Sequence, residues 1–187
     1  MCLDGKKCHI IQRNPSKQIP ISFSPPSVVL AGWAVALLTP FGAQAVEPGQ
    51  AAPEFELPGR ASVVRLADYR GKTVYLDFWA SWCGPCKKSF PWMNDIQARY
   101  GGKGLRVIGL NVDQKPADAA AFLAQVAAKF DIAFDAGGQS PRAYGVKGMP
   151  TSFLIGPDGR VLAVHTGFRD DQRDELERKI VAALARP

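Results

Sequence analysis

Cys83 and Cys86 stand in the segment Trp82-Cys83-Gly84-Pro85-Cys86 of a chain with only four cysteines. Two thiols three positions apart on one helical turn face the same way, so they can close a disulfide without large backbone movement. Thr73–Trp79, rich in β-branched and aromatic residues, reads as a strand covered on both faces, and Gly84–Tyr100 reads as a helix. Cys83 therefore falls at a helix amino terminus, where unpaired N–H groups and the dipole favour a thiolate. A thiolate so placed attacks a disulfide to form a mixed disulfide, and the second thiol displaces the captured partner, moving two electrons. A zinc half-site or a static bridge would use the same pair. With no second ligand pair nearby, a C-x-x-C between strand and helix favours redox work.

Several other elements must hold that turn. Glu47–Gly59, with Pro48, Pro53 and Pro58, suits an extended entry segment, and Ser62–Leu66 a short strand. Asp77 is an anomaly in an otherwise apolar strand. The helix after the cysteines carries Met93, Ile96 and Tyr100 on one face, a kink at Pro91, and a Gly101-Gly102 stop. Leu105–Val112 reads as another buried strand. A helix starting at Pro116 follows, with Ala119, Phe122, Leu123, Val126 and Phe130 at helical spacing. Ser140-Pro141 starts a short helical turn. Thr151–Ile155 and Arg160–Thr166 form a hairpin through Gly156-Pro157-Asp158-Gly159, and a last helix from Asp170 sets Leu176, Ile180, Ala183 and Leu184 in one stripe. Strands alternating with helices, then a hairpin and a helix, imply an α/β fold: a mixed β-sheet with helices on both faces.

At 187 residues, the chain suits one domain with an appendage. Hydrophobic residues make up 47% and charged residues 21%, which excludes a disordered tail protein. Lys6, Lys7, Arg13 and Lys17 precede the apolar stretch Val28–Leu38 and the small residues Ala43-Gln44-Ala45, the order of a signal peptide. As a helix the apolar stretch would be about 16 Å long, against roughly 30 Å of hydrocarbon. Residues 1–45 are expected to be a signal peptide cleaved after Ala45 or, with residues 28–46 as a membrane tether, an uncleaved anchor. Residues 46–187 form the domain, outside the cytoplasm in either case. Without residues 1–45, which hold four bases and one acid, the net charge falls from +6 to +3. No Lys/Arg stripe interleaved with aromatics follows, so nucleic acid is not an expected partner. Cys2, Cys8 and His9 lack the fourth ligand of a structural zinc site, and the expected reading is an inert leader.

The run Asp77-Phe78-Trp79-Ala80-Ser81-Trp82-Cys83-Gly84-Pro85-Cys86-Lys87, with Pro91 and the downstream Gly148-Met149-Pro150-Thr151, resembles the thioredoxin superfamily. The likeness covers most of 46–187. The leader, the Pro-rich entry, Leu66-Ala67-Asp68-Tyr69-Arg70-Gly71-Lys72 and an extra strand–helix insertion over Asn111–Gly138 resemble its exported TlpA/ResA/CcmG branch. The resemblance implies a thioredoxin-like fold with an N-terminal extension and a periplasmic or otherwise extracytoplasmic thiol-disulfide oxidoreductase. Such proteins reduce protein disulfide clients, apocytochrome c or respiratory copper-site cysteines, with electrons from a membrane donor. It implies no cofactor beyond the redox-active disulfide and no metal. It makes Cys83 and Cys86 catalytic and Asp77 the buried carboxylate behind them, exchanging the resolving thiol's proton through water. A carboxyl in an apolar strand should hold its proton more tightly than usual. Pro150 becomes the cis proline facing the disulfide, and Met149, Trp82, Gly84 and Pro85 the client-binding surface.

Two positions depart from the branch: Ser89 stands where many members have Glu, and Asp77 where many have Asn. The Glu-based tuning of the thiols is therefore not carried over. Trp79 is expected in the core, Trp92 and Phe134 in the core or groove, Lys87 and Lys88 on a solvated helix face, and His165 as a structural histidine. Two other functions fit parts of the sequence. A peroxidase of peroxiredoxin type shares the entry segment, but its cysteine follows a Thr by three positions, where this chain has Ala80. A Cu(I)-holding assembly factor would use the soft thiolates with His165 as a third ligand, at a wider cysteine spacing than found here.

Overall fold

Thr73–Trp79 is β3, the strand about which the chain is arranged in the computed structural model, which describes residues 45–186. The expected leader, with Cys2, Cys8 and His9, lies outside the described residues except for Ala45. β3 pairs in parallel with β4 (Leu105–Asn111), from Thr73 opposite Leu105 to Trp79 opposite Asn111. A parallel pair needs a crossover, and α1 (Gly84–Tyr100) supplies it. On its other edge β3 pairs antiparallel with β6 (Thr151–Ile155), and β6 in turn with β7 (Val161–Thr166). Gly159 closes that hairpin at φ +79°, a conformation glycine adopts at little cost. With β5 (Asp131–Phe134), the sheet order is β5-β4-β3-β6-β7.

One sheet face carries α1, α2 (Pro116–Gln125) and, after a turn at Asp170–Gln172, α4 (Arg173–Leu184). Tyr75 and Trp79 point into this layer. Trp79 lies 5.1 Å from Phe90 and 4.7 Å from Phe122, ring centre to ring centre, and Phe90 lies 5.2 Å from Phe130. The opposite face presents Leu76 and Phe78 to Phe153, Tyr144 and Phe55. It is covered by the entry segment and the end of the short helix α3 (Gln139–Ala143). Within the entry segment β1 (Glu56–Pro58) pairs antiparallel with β2 (Val63–Arg65), so part of the extended lead-in forms a small second sheet. Pro91, where a kink is expected, occupies an exposed position inside one continuous helix. No helix among the described residues is long and apolar enough to cross a membrane.

The insertion differs from its sequence reading. Helical spacing extends to Phe130, yet α2 ends at Gln125, Val126 is extended (φ −126°, ψ 99°), and Asp131–Phe134 is a strand in parallel register with Ile108–Asn111. Both apolar residues still serve the core, Phe130 buried within it and Val126 packed against it. A four-residue run is too short for its own periodicity to choose between helix and strand. The open edge of β4 makes that choice.

Phe90 joins α1 to three other aromatic rings at zero exposure, and truncating a buried Phe typically costs about 3–5 kcal/mol. The Phe90→Ala variant is expected to lose that much in urea titrations at unchanged slope. A loss below about 1 kcal/mol would mean that the aromatic cluster does not anchor the helix.

Candidate functional site

Cys83 is the N-cap of α1, extended at φ −84° and ψ 102°, with Gly84 and Pro85 opening the helix. Pro at this point sacrifices no helical hydrogen bond, because the first N–H groups have no partner within the helix. The Cys83 sulfur accepts from the Cys86 N–H at 3.2 Å, so a disulfide sulfur caps the helix start. The two cysteines are joined, with S–S 2.01 Å and Cα–Cα 5.3 Å. Cys86 is fully buried, Cys83 is 3% exposed, and the neighbouring Trp82 is 71% exposed. Lys87 and Lys88 are exposed on the helix. Ser89 is buried and donates to the Cys86 carbonyl at 3.1 Å.

The loop between β3 and α1 is tied down from β4. Asp113 accepts from the Ser81 N–H at 2.8 Å and from the Ser81 hydroxyl at 3.0 Å, and from the Asn111 amide at 2.7 Å. Asn111 in turn accepts from the Asp113 N–H at 3.1 Å. These bonds fix the backbone two residues before Cys83. Sequence reasoning missed them. Their signal is a carboxylate just beyond the carboxyl end of a parallel strand, the sheet edge where α/β ligand sites gather.

Asp77 lies on the central strand, which excludes an edge carboxylate reaching water. Its neighbours two positions away, Tyr75 and Trp79, both pack on α1, through Trp92 and Phe90 respectively. Side chains alternate along a strand, so Asp77 points beneath α1 as well. It is 2% exposed, and its Oδ2 has no hydrogen-bond partner. Burial pushes its carboxyl well above the usual carboxylate range. The other two buried carboxylates among the described residues are bonded: Asp113 as above, and Asp135 by the Ser140 N–H at 2.6 Å.

The Met149–Pro150 bond is cis. The register of Phe78 opposite Thr151 places Pro150 across from Trp79, at the sheet end from which the cysteine loop departs. Met149 is half-buried against both core clusters, and Pro150 is buried. Trp79 is core as expected; Trp92 is buried beside Tyr75 and Phe168, and Phe134 is half-buried at the core margin. His165 lies on β7 opposite Ser152, and no group of three His, Cys, Asp or Glu side chains able to hold a metal comes together among the described residues. His165 therefore does not complete a copper site with the cysteine pair.

Comparison with known proteins agrees with this architecture. The Redoxin family model matches residues 47–180. The thiol-disulfide oxidoreductase ResA of Bacillus thuringiensis subsp. konkukian is 39% identical over 139 residues, covering 72% of this chain and 79% of that protein. A Chlorobium tepidum crystal structure assigned as thiol:disulfide interchange protein DsbE is 57% identical with a TM-score of 0.74, over 75% of this chain and all (100%) of that one. The exposed lipoprotein thioredoxin of Streptococcus pneumoniae is 31% identical with a TM-score of 0.62, over 70% of this chain and 99% of that one. The likeness extends over most of the described fold, and the chain belongs to the redoxin family as a thioredoxin-fold, ResA-like thiol-disulfide oxidoreductase.

Proposed function

We propose that the chain is an exported reductase of protein disulfides, in which Cys83 attacks the client, Cys86 resolves the mixed disulfide, and Asp77 takes the resolving thiol's proton. The observation that carries this reading is the unequal placement of the two sulfurs. Cys86 is fully enclosed, whereas Cys83, at 3% exposed, caps the helix beside the exposed Trp82 and is the sulfur nearer the surface. The helix terminus supports its thiolate. Trp82, Gly84 and Pro85 on one side and Met149 and Pro150 on the other form the client surface. The clients are disulfides of extracytoplasmic proteins, such as those formed by the cysteines of apocytochrome c or respiratory copper sites, and a membrane protein supplies the electrons. The leader-like order of charges, apolar stretch and small residues in 1–45 supports export, as does the likeness to an exposed lipoprotein thioredoxin.

Replacing Cys86 with Ser leaves the captured client with nothing to displace it. The Cys86→Ser chain is expected to accumulate a covalent adduct at Cys83, cleaved by dithiothreitol and absent from the Cys83→Ser, Cys86→Ser double variant. Adducts that persist in the double variant would refute the assignment of Cys83. The reduction potential of the wild-type pair is expected near the thioredoxin value of about −270 mV; a value near −120 mV would make the protein a disulfide-forming oxidant instead.

Asp77 gives a pH dependence of definite sign. Its folded carboxyl holds its proton more tightly than the unfolded one, so the folded state binds the extra proton once pH exceeds the unfolded value of about 3.9. Stability therefore falls as pH rises from there to the raised folded value. It is level above that. Asp77→Asn removes the effect, and its stability advantage over wild type is expected to grow by up to about 1.4 kcal/mol per pH unit within that window. Urea midpoints at pH 4 and pH 8 measure it; an equal difference at both would show that Asp77 is not buried as a proton-holding acid.

A further inference from the structure

Asp77, Ser152 and His165 are successive cross-strand neighbours: Asp77 opposite Ser152 on β6, and Ser152 opposite His165 on β7. Directly opposed residues share a sheet face with Cβ atoms about 4.5–5.5 Å apart, so three proton-carrying side chains form a row across three strands. Both ends of the row are buried polar atoms without partners, Asp77 Oδ2 and His165 Nε2. In the middle, the Tyr75 hydroxyl donates to Ser152 Oγ at 2.8 Å. A serine oxygen accepts twice and donates once, which leaves Ser152 one lone pair and its own proton for its neighbours in the row. Beside Ser152 and His165 lies a cavity of about 10 Å³, also lined by Tyr75 and Lys179. That is room for about one water, with enough polar partners to hold it.

His165 differs from Asp77 in reaching the outside. It is half-buried, with Nε2 turned inward and Gln172, Glu175, Lys179 and Arg169 around its ring. Burial lowers its affinity for a proton, so the imidazole is neutral near pH 7 and able to accept one. The other titratable groups on this face are Tyr75, kept protonated chiefly by burial, and Cys86 on α1. β4 presents Gly109 opposite Asp77 and so adds no charge there.

We infer that Ser152 and His165 are positioning residues of a proton exit that carries the proton of Cys86 from Asp77 across the sheet to the α4 surface. The inference rests on the reading of Asp77 as the acceptor of that proton. In the resolving step Cys86 attacks the Cys83–client disulfide. The Cys83–Cys86 bond forms, the bond to the client breaks, and the client leaves as a thiolate that takes a proton from solvent. The Cys86 proton passes to Asp77 in its ionised, carboxylate form. Asp77 then delivers a proton to Ser152, whose own proton moves through the cavity water to His165 Nε2, and the imidazolium releases its Nδ1 proton to solvent. One proton enters the row and one leaves, and no electrons move in this stage.

The test is single-turnover oxidation of the reduced full chain by excess peptide disulfide, followed by tryptophan fluorescence in H₂O and D₂O. Asp77→Asn is expected to slow the reaction by roughly a hundredfold, the low end of what a positioned proton acceptor supplies. His165→Ala and Ser152→Ala are expected to slow it by a factor on the order of ten with a larger solvent isotope effect, since proton delivery now limits the rate. Added imidazole should restore His165→Ala; thiazole, a ring of similar size that takes no proton at neutral pH, should not. His165→Gln, which keeps a polar side chain without a basic nitrogen, carries the same test if the alanine variant does not fold. Wild-type rates in the His165 and Ser152 variants beside a slow Asp77→Asn would overturn the exit and leave Asp77's role standing. A wild-type rate in Asp77→Asn would overturn both.

Discussion

Thr73–Trp79 is hydrogen-bonded on both edges and covered on both faces, so all seven of its residues are buried. That enclosure sets the terms for the rest of the molecule. A strand with no access to water must leave the sheet abruptly, and it does so at Ala80, directly into the loop that carries Cys83. The loop cannot wander, because Asp113 holds Ser81 through two hydrogen bonds and Asn111 orients Asp113. The rigid end of a buried strand, with Ser81 pinned to Asp113, fixes where the helix starts. The aromatic cluster of Trp79, Phe90 and Phe122 then presses α1 onto the sheet and keeps Cys86 sealed. Inequality between the two sulfurs, on which an ordered exchange depends, is a packing consequence.

Much of this could be read from the chain because it is local. The strand, the helix start, Pro85 at its opening turn and the hairpin at Gly156–Gly159 are each encoded within a few residues, and the structure places them where the patterns indicate. Asp77 was legible for a related reason: a lone acid in an apolar run has few places to go. What could not be read depends on pairing between distant segments. Asp131–Phe134 becomes a strand only because β4 offers it an edge. Ser152 and His165 looked like an ordinary strand serine and a solitary histidine, and only the register of β3, β6 and β7 puts them in line with Asp77. No spacing rule reports such a row, since its members are separated by 75 positions at one step and 13 at the next.

Comparison of the three buried carboxylates shows how Asp77 differs from the other two. Asp113 and Asp135 each accept hydrogen bonds, from Ser81 and Asn111 for the first and from the Ser140 N–H for the second. Those bonds tie each of the two acids to fixed backbone, so they serve as struts. Asp77 sits between Gly109 and Ser152 with an oxygen that has no partner, and the cost of burying its charge raises its affinity for a proton well above the usual carboxylate range. A carboxyl in that condition is a poor strut. Under the role proposed for it, its ionised form takes up the proton that Cys86 on α1 releases, provided that the proton can afterwards leave. Ser89 does not provide that route, because its hydroxyl is turned to the Cys86 carbonyl. The polar side chains that do continue from Asp77 lie on the sheet, through Ser152, and end at the one ring that is both buried at Nε2 and open to solvent.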